Sequence, residues 1–144
     1  MSAANLQWQL DSRLHNDTKR VCETDDVSIL LMNDSRWPWL ILVPKQPGAE
    51  EWSDLEPELG ARAFQQVQQV ADILKVFTGC EKINIAAIGN IVRQLHIHVI
   101  ARSEGDANWP GPVWGFGNAE PYDCEQAERL IEHLREKITH ASIS

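Results

Sequence analysis

Two histidines stand two residues apart in the run Gln94-Leu95-His96-Ile97-His98-Val99-Ile100. Side chains on a strand alternate between faces, so Gln94, His96 and His98 are expected to share one face while Leu95, Ile97 and Val99 project from the other. An apolar rear face anchors such a row to a core and removes rotational slack from the imidazoles, which positioned catalysis requires. Two plainer readings compete. The histidines can be polar residues on the wet face of a half-exposed strand, or alternate ligands of one metal ion. A metal site needs a third ligand from His15, His133, His140 or a carboxylate, and none stands at a telling spacing. No metal and no cofactor is therefore expected.

The elements that must position this row read as strands, one long helix, strands and a closing helix. Val27 to Met32 is short and apolar, Asn33-Asp34-Ser35 supplies turn chemistry, and Trp37 to Val43 resumes the apolar pattern. These two strands are expected to be antiparallel neighbours. Ser53-x-x-Glu56 reads as a capping box before a helix. In that helix Leu59, Phe64, Val67, Val70, Ala71, Leu74 and Phe77 recur at helical spacing, and Thr78-Gly79 is the stop. Ile83 to Ile88 and Leu95 to Ala101 are two further strands joined through the turn-like Gly89-Asn90 pair, both rich enough in apolar residues to be central. The segment Trp109-Pro110-Gly111-Pro112-Val113-Trp114-Gly115 carries too much Pro and Gly for regular structure, and is an ordered loop or a tail. A last helix over Asp123 to Thr139 shows one apolar stripe of Ala127, Leu130, Ile131, Leu134 and Ile138. This order predicts an α+β fold with a mostly antiparallel sheet.

Composition sets the outer limits. A chain of 144 residues is the length of one domain over 1–144, able to bury roughly 68% of its unfolded surface. The net charge of -8 argues against nucleic-acid binding, which needs a dense basic surface. A mononucleotide stays compatible, because backbone amides and a few polar groups can hold one or two phosphates. Cys22, Cys80 and Cys124 show no C-x-x-C spacing and an odd count, which points to reduced thiols and a cytoplasmic protein. No basic, then apolar, leader opens the chain and no run of about eighteen apolar residues occurs, so neither secretion nor a membrane span is expected.

The run from Gln94 to Ile100 resembles the signature of the histidine triad family, three histidines alternating with apolar residues, with one of the three replaced. The likeness extends from about Asp26 to Arg102, and the loop and helix over 103–144, with the Trp109 to Gly115 segment, are similar to a bacterial branch of that family. The resemblance implies a compact α+β subunit, usually a homodimer, that hydrolyses or transfers nucleotides without an obligatory metal ion. It implies that His96 attacks the α-phosphate and forms a nucleotidyl-histidine intermediate, and that His98 hydrogen-bonds phosphate oxygens. A neutral imidazole is a competent nucleophile near pH 7, and pre-aimed donors stabilise charge gathering on those oxygens. By the same resemblance Asn33 contacts ribose, while Asn84, Gly89 and Asn90 form the phosphate approach. The plainer reading of Asn33 is a turn former after a strand. Trp37, Trp39, Trp109 and Trp114 are candidates for stacking on a base or for packing in the core or in a dimer.

Two positions depart from the common pattern. Gln94 opens the triad where the family has His, and an amide donates and accepts but does not titrate. If the first position delivers a proton, amine leaving groups are handicapped relative to phosphates, and Gln94→His narrows the gap. Trp39 stands where many members have a further histidine. The resulting expectation is an enzyme cleaving dinucleoside polyphosphate anhydrides, with catalytic residues His96, His98 and Gln94. The alternative is a nucleotide-binding regulatory module with little or no turnover, and the plainest is a scaffold whose strand histidines are only surface.

Overall fold

The computed structural model describes residues 7–141. Its centre is a five-stranded sheet formed by β1 (Thr18–Glu23), β2 (Val27–Met32), β3 (Trp39–Pro44), β4 (Lys82–Ala86) and β5 (Ile97–Arg102). The order is β1-β2-β3-β5-β4, and every neighbouring pair is antiparallel. The three middle strands read as near-continuous apolar runs because both faces of the sheet are covered. On one face Ile29, Leu31, Leu40, Leu42, Ile97 and Val99 pack against Val67, Val70 and Leu74 of helix α2 (Pro57–Thr78) and against Leu134 and Ile138 of helix α3 (Cys124–His140). On the other, Leu30, Trp39, Ile41 and Ile100 meet Leu14, Trp37 and Val113, with Trp8, Leu10 and Trp114 at the margin. That second face is roofed by loops and by a short helix α1 (Ser12–Asp17), and loops over a rigid sheet are where binding groups are commonly displayed.

Several expectations shift when the chain is seen folded. The second strand begins at Trp39, two residues after the expected Trp37, because Trp37 ends the Asn33 turn as a buried plug. The strand expected over Ile83 to Ile88 is Lys82–Ala86 and forms an edge, half-exposed, where a central position was expected. An apolar run alone does not distinguish a buried strand from an edge whose apolar face is left uncovered. The expected Ser53 capping box is displaced toward the N-terminus: Glu51 and Asp54 cap a 3₁₀ turn at Trp52–Asp54, and α2 starts with Pro57 at its first position without a side-chain cap. Proline is favoured there because its missing N–H has no helical partner to lose. Phe64 falls outside the core at 55% exposure and meets Trp52 edge-on instead. The stop at Thr78-Gly79 holds, with Gly79 in the left-handed region at φ 67°. α3 runs Cys124–His140 against the expected Asp123 to Thr139, with Asp123 as its cap, accepting from the Gln126 N–H.

Candidate functional site

β5 delivers His98, and the residue before its first ladder pair delivers His96, both toward the loop-covered face. Leu95, Ile97, Val99 and Ala101 all enter the helix-side core, so the alternation read from the sequence is the one that folds. Neither histidine sits on a wet face. His96 is 7% and His98 is 5% exposed, their rings meet edge to face with centroids 4.9 Å apart, and both line a cavity of about 380 Å³.

Hydrogen bonding assigns each ring a tautomer. His96 Nδ1 lies 2.7 Å from the backbone carbonyl oxygen of Gln94, and a carbonyl only accepts, so Nδ1 carries a proton and, in the neutral ring, Nε2 is the nitrogen with the lone pair. The indole of Trp39 only donates, and its Nε1–H reaches His98 Nδ1 at 3.0 Å, so the proton of neutral His98 sits on Nε2. One histidine thus offers a lone pair and its neighbour an N–H donor, in the same cavity. Burial, with a smaller contribution from His96, lowers the His98 pKa to about 3, so this donor stays neutral at physiological pH.

That shift has a consequence for stability. Above the ordinary histidine value of 6.5 neither the folded nor the unfolded state carries the proton. Between 6.5 and about 3 only the unfolded chain takes it up, so stability falls with pH throughout that window, by up to about 1.4 kcal/mol per unit. We expect chemical denaturation of His98→Asn to show a shallower loss between pH 6.5 and 4 than the unaltered chain. Parallel profiles would mean that His98 is not held neutral.

The other residues singled out in the sequence divide. Gly89 and Asn90 line the cavity with His96 and His98, and Gly89 turns the chain there at φ 70°, where any side chain is strained. Asn33 lines an adjoining cavity of about 420 Å³ and its Oδ1 accepts from the Tyr122 N–H, tying the turn to the chain ahead of α3. The two cavities share Asp17, Met32 and Trp114 as a common wall. Asn84 lines neither: on β4 opposite Ile100, its Oδ1 lies 3.4 Å from the Arg102 guanidinium. Gln94 also lines neither, since its amide donates to the Gln9 carbonyl and accepts the Asp11 N–H, each at 2.8 Å. Of the tryptophans, Trp37 and Trp39 are core residues at 1% and 6% exposure, and Trp114 lies against the His98 ring at 5.2 Å. Trp109 stacks at 5.6 Å from the Arg102 guanidinium.

Sequence reasoning missed Arg102. It is 1% exposed, pairs with Asp106 through two nitrogens at 2.8 Å, and donates to the carbonyls of Ala107 and Gly111. This anchor makes the Pro- and Gly-rich segment an ordered loop and so sets Trp114 against the site. A lone arginine at a strand end carried no signal of such burial. Among the described residues no group of three or more His, Cys, Asp or Glu side chains is placed to hold a metal ion.

A family model described as the HIT domain matches residues 13–105. The chain belongs to the HIT domain family. A histidine triad (HIT) protein from Sinorhizobium meliloti 1021 is 48% identical, with a TM-score of 0.88 over 94% of this chain and 99% of that one. A histidine triad protein from Bradyrhizobium japonicum is 42% identical, with a TM-score of 0.90 over 92% of this chain and 99% of its own. A Plasmodium falciparum diadenosine triphosphate hydrolase is 17% identical and shares the fold, with a TM-score of 0.61 over 92% of this chain and 81% of that one. No curated protein matches the chain. Membership gives the paired histidines their setting: a HIT domain in which His96 and His98 share one face and His98 is held by Trp39.

Proposed function

We propose that this HIT protein is a nucleotide hydrolase or transferase that cleaves at the α-phosphate of a dinucleoside polyphosphate through a nucleotidyl-His96 intermediate. The observation that carries the reading is the complementary pair of imidazoles lining one cavity, His96 with its Nδ1–H engaged so that its Nε2 is the nitrogen left to attack, and His98 with an N–H on Nε2. Nε2 of His96 attacks the α-phosphorus, the bond to the bridging oxygen breaks, and its electron pair leaves with the departing nucleotide phosphate. His98 donates to the phosphate oxygens on which charge gathers, a donor that needs no reorganisation because Trp39 already orients it. Water then attacks phosphorus, the P–N electron pair returns to Nε2, and the water's proton passes to solvent. The nucleoside would occupy the adjoining cavity, where Asn33 borders the ribose position and Trp114 and Phe116 offer aromatic surface to the base.

Incubation with a panel of dinucleoside polyphosphates is expected to release the nucleoside monophosphate, and chelators to leave the rate largely unchanged, since in this route the two histidines supply the nucleophile and the donor. Tight, turnover-free binding across the panel would instead favour a regulatory module.

The reading includes a homodimer and a cytoplasmic location, in keeping with three free cysteines. β4 is an open edge, and beside it Ile85, Ile88 and Ile91 are 51%, 43% and 73% exposed. Unpaired edges with apolar neighbours favour pairing with another chain. Sedimentation at micromolar concentration is expected to give the mass of two chains, and a monomer would contradict this part.

A further inference from the structure

The amide of Gln94 is fully engaged, yet away from the cavity. By accepting from Asp11 and donating to Gln9 it clamps the backbone just ahead of α1 at two points. Asp11 caps that helix, accepting the Arg13 N–H at 2.8 Å, and Leu14 buries the helix against the sheet at 4% exposure. The next turn of this chain therefore has little freedom, and it sets Arg13 and Asp17 on the rim of the cavity that holds His96 and His98. Arg13 is the only Lys or Arg lining that cavity among the described residues. Its single partner there is Asp17 at 3.7 Å, with both side chains more than half exposed, and such surface pairs hold weakly. A guanidinium in that state exchanges readily to a phosphate, which it can bind through two parallel N–H donors.

Resting on the proposed function above, we propose that Arg13 binds the phosphate beyond the α-phosphate, on the leaving side of the cleaved bond, and that Gln94 is a positioning residue that fixes α1 for this contact. The two histidines can serve an α-phosphate by themselves. A longer polyphosphate brings further negative charge into a cavity whose only acidic side chain among the described residues is Asp17, and Arg13 is the group that offsets it. This gives the first triad position a physical role without titration. Its amide stays a donor and an acceptor at every pH, whereas a histidine there would lose its acceptor on protonation.

Binding by calorimetry tests the proposal without depending on turnover. The probes are AMP and adenosine 5′-(β,γ-methylene)triphosphate, with the unaltered chain, Arg13→Gln, Arg13→Lys, Asp17→Asn, Gln94→Ala and the Arg13→Gln/Gln94→Ala double variant. The unaltered chain is expected to bind the triphosphate about tenfold or more tighter than AMP, as one charge-assisted contact implies. Arg13→Gln should reduce that preference to within about threefold while leaving AMP affinity nearly constant, Arg13→Lys should restore part of it, and Asp17→Asn should enlarge it. Gln94→Ala should reproduce the selective loss, and the double variant should lose no more than Arg13→Gln alone, because both act through one contact. Equal weakening of both ligands, an unchanged preference in Arg13→Gln, or no preference in the unaltered chain would overturn the proposal. A chain that shows the Arg13-dependent preference and yet releases no monophosphate from any polyphosphate would sink the enzymatic reading and leave this assignment standing.

Discussion

His96→Ala is expected to lower turnover by about three or more orders of magnitude while leaving the fold and the nucleotide affinity nearly intact. The substitution deletes the covalent route, because among the described residues no other side chain in the cavity presents a free nitrogen lone pair: the remaining imidazole has its Nδ1 filled by Trp39 and its Nε2 protonated. It costs little structure. The His96 ring contributes one hydrogen bond, to the Gln94 carbonyl, at the wall of an open cavity where water can take its place. Binding should survive because the groups expected to hold phosphate and nucleoside lie on β5, α1 and the loops. The check is a comparison of single-turnover rate and calorimetric affinity in the variant and the unaltered chain. A variant that keeps a tenth of the rate would show that the reaction does not pass through His96.

Phosphate anhydrides are expected to be cleaved about 100-fold or more faster than phosphoramidates carrying the same nucleotide. A departing nucleotide phosphate has a second pKa near 6 and can leave near neutrality with little protonation. An amine must take a proton as the P–N bond breaks, and a positioned general acid typically contributes about 100 to 10,000-fold. Among the described residues, neither imidazole of this cavity is left to serve as that acid. Burial opposes a second proton on His98, His96 is committed to phosphorus in the proposed route, and the Asp17 carboxyl is an exposed rim group beside Arg13. Gln94 is also absent from the cavity, which revises the reason the sequence suggested: its amide is turned to residues 9 and 11 instead of facing a leaving group. Gln94→His is accordingly not expected to narrow the gap. The values to compare are kcat/KM for a diadenosine polyphosphate and for adenylated lysine. A preference for the phosphoramidate would mean that a proton reaches the leaving group from a donor that this geometry does not contain.

Legibility varied with the kind of signal. The alternation around His96 and His98 survived folding because Leu95, Ile97 and Val99 leave the chain one way to bury them. α2 and α3 were readable from their apolar stripes, and so were the two strands flanking Asn33. α1 and β1 were not. Thr18–Glu23 buries only Val21 among charged neighbours, and Ser12–Asp17 is a six-residue polar segment held by one leucine, so neither shows a period. The site followed the same division. Residues on its strand and the Gly89 turn were legible from local pattern, whereas Arg13, Asp17 and Met32 reach the cavity from segments far ahead of His96 in sequence. Arg102 and Trp39 work through partners that tertiary packing brings to them. Asn84, which the resemblance places on the phosphate approach, lies beside the Arg102 guanidinium.

The covalent step itself can be observed. The unaltered protein is mixed with a diadenosine polyphosphate, quenched rapidly without acid so that the labile P–N bond survives, and its intact mass is recorded together with that of His96→Ala. The account predicts a transient mass increase of one nucleotide monophosphoryl group, carried on His96 and missing from the variant. Full turnover with no such adduct at any quench time, or an adduct that persists in His96→Ala, would contradict it.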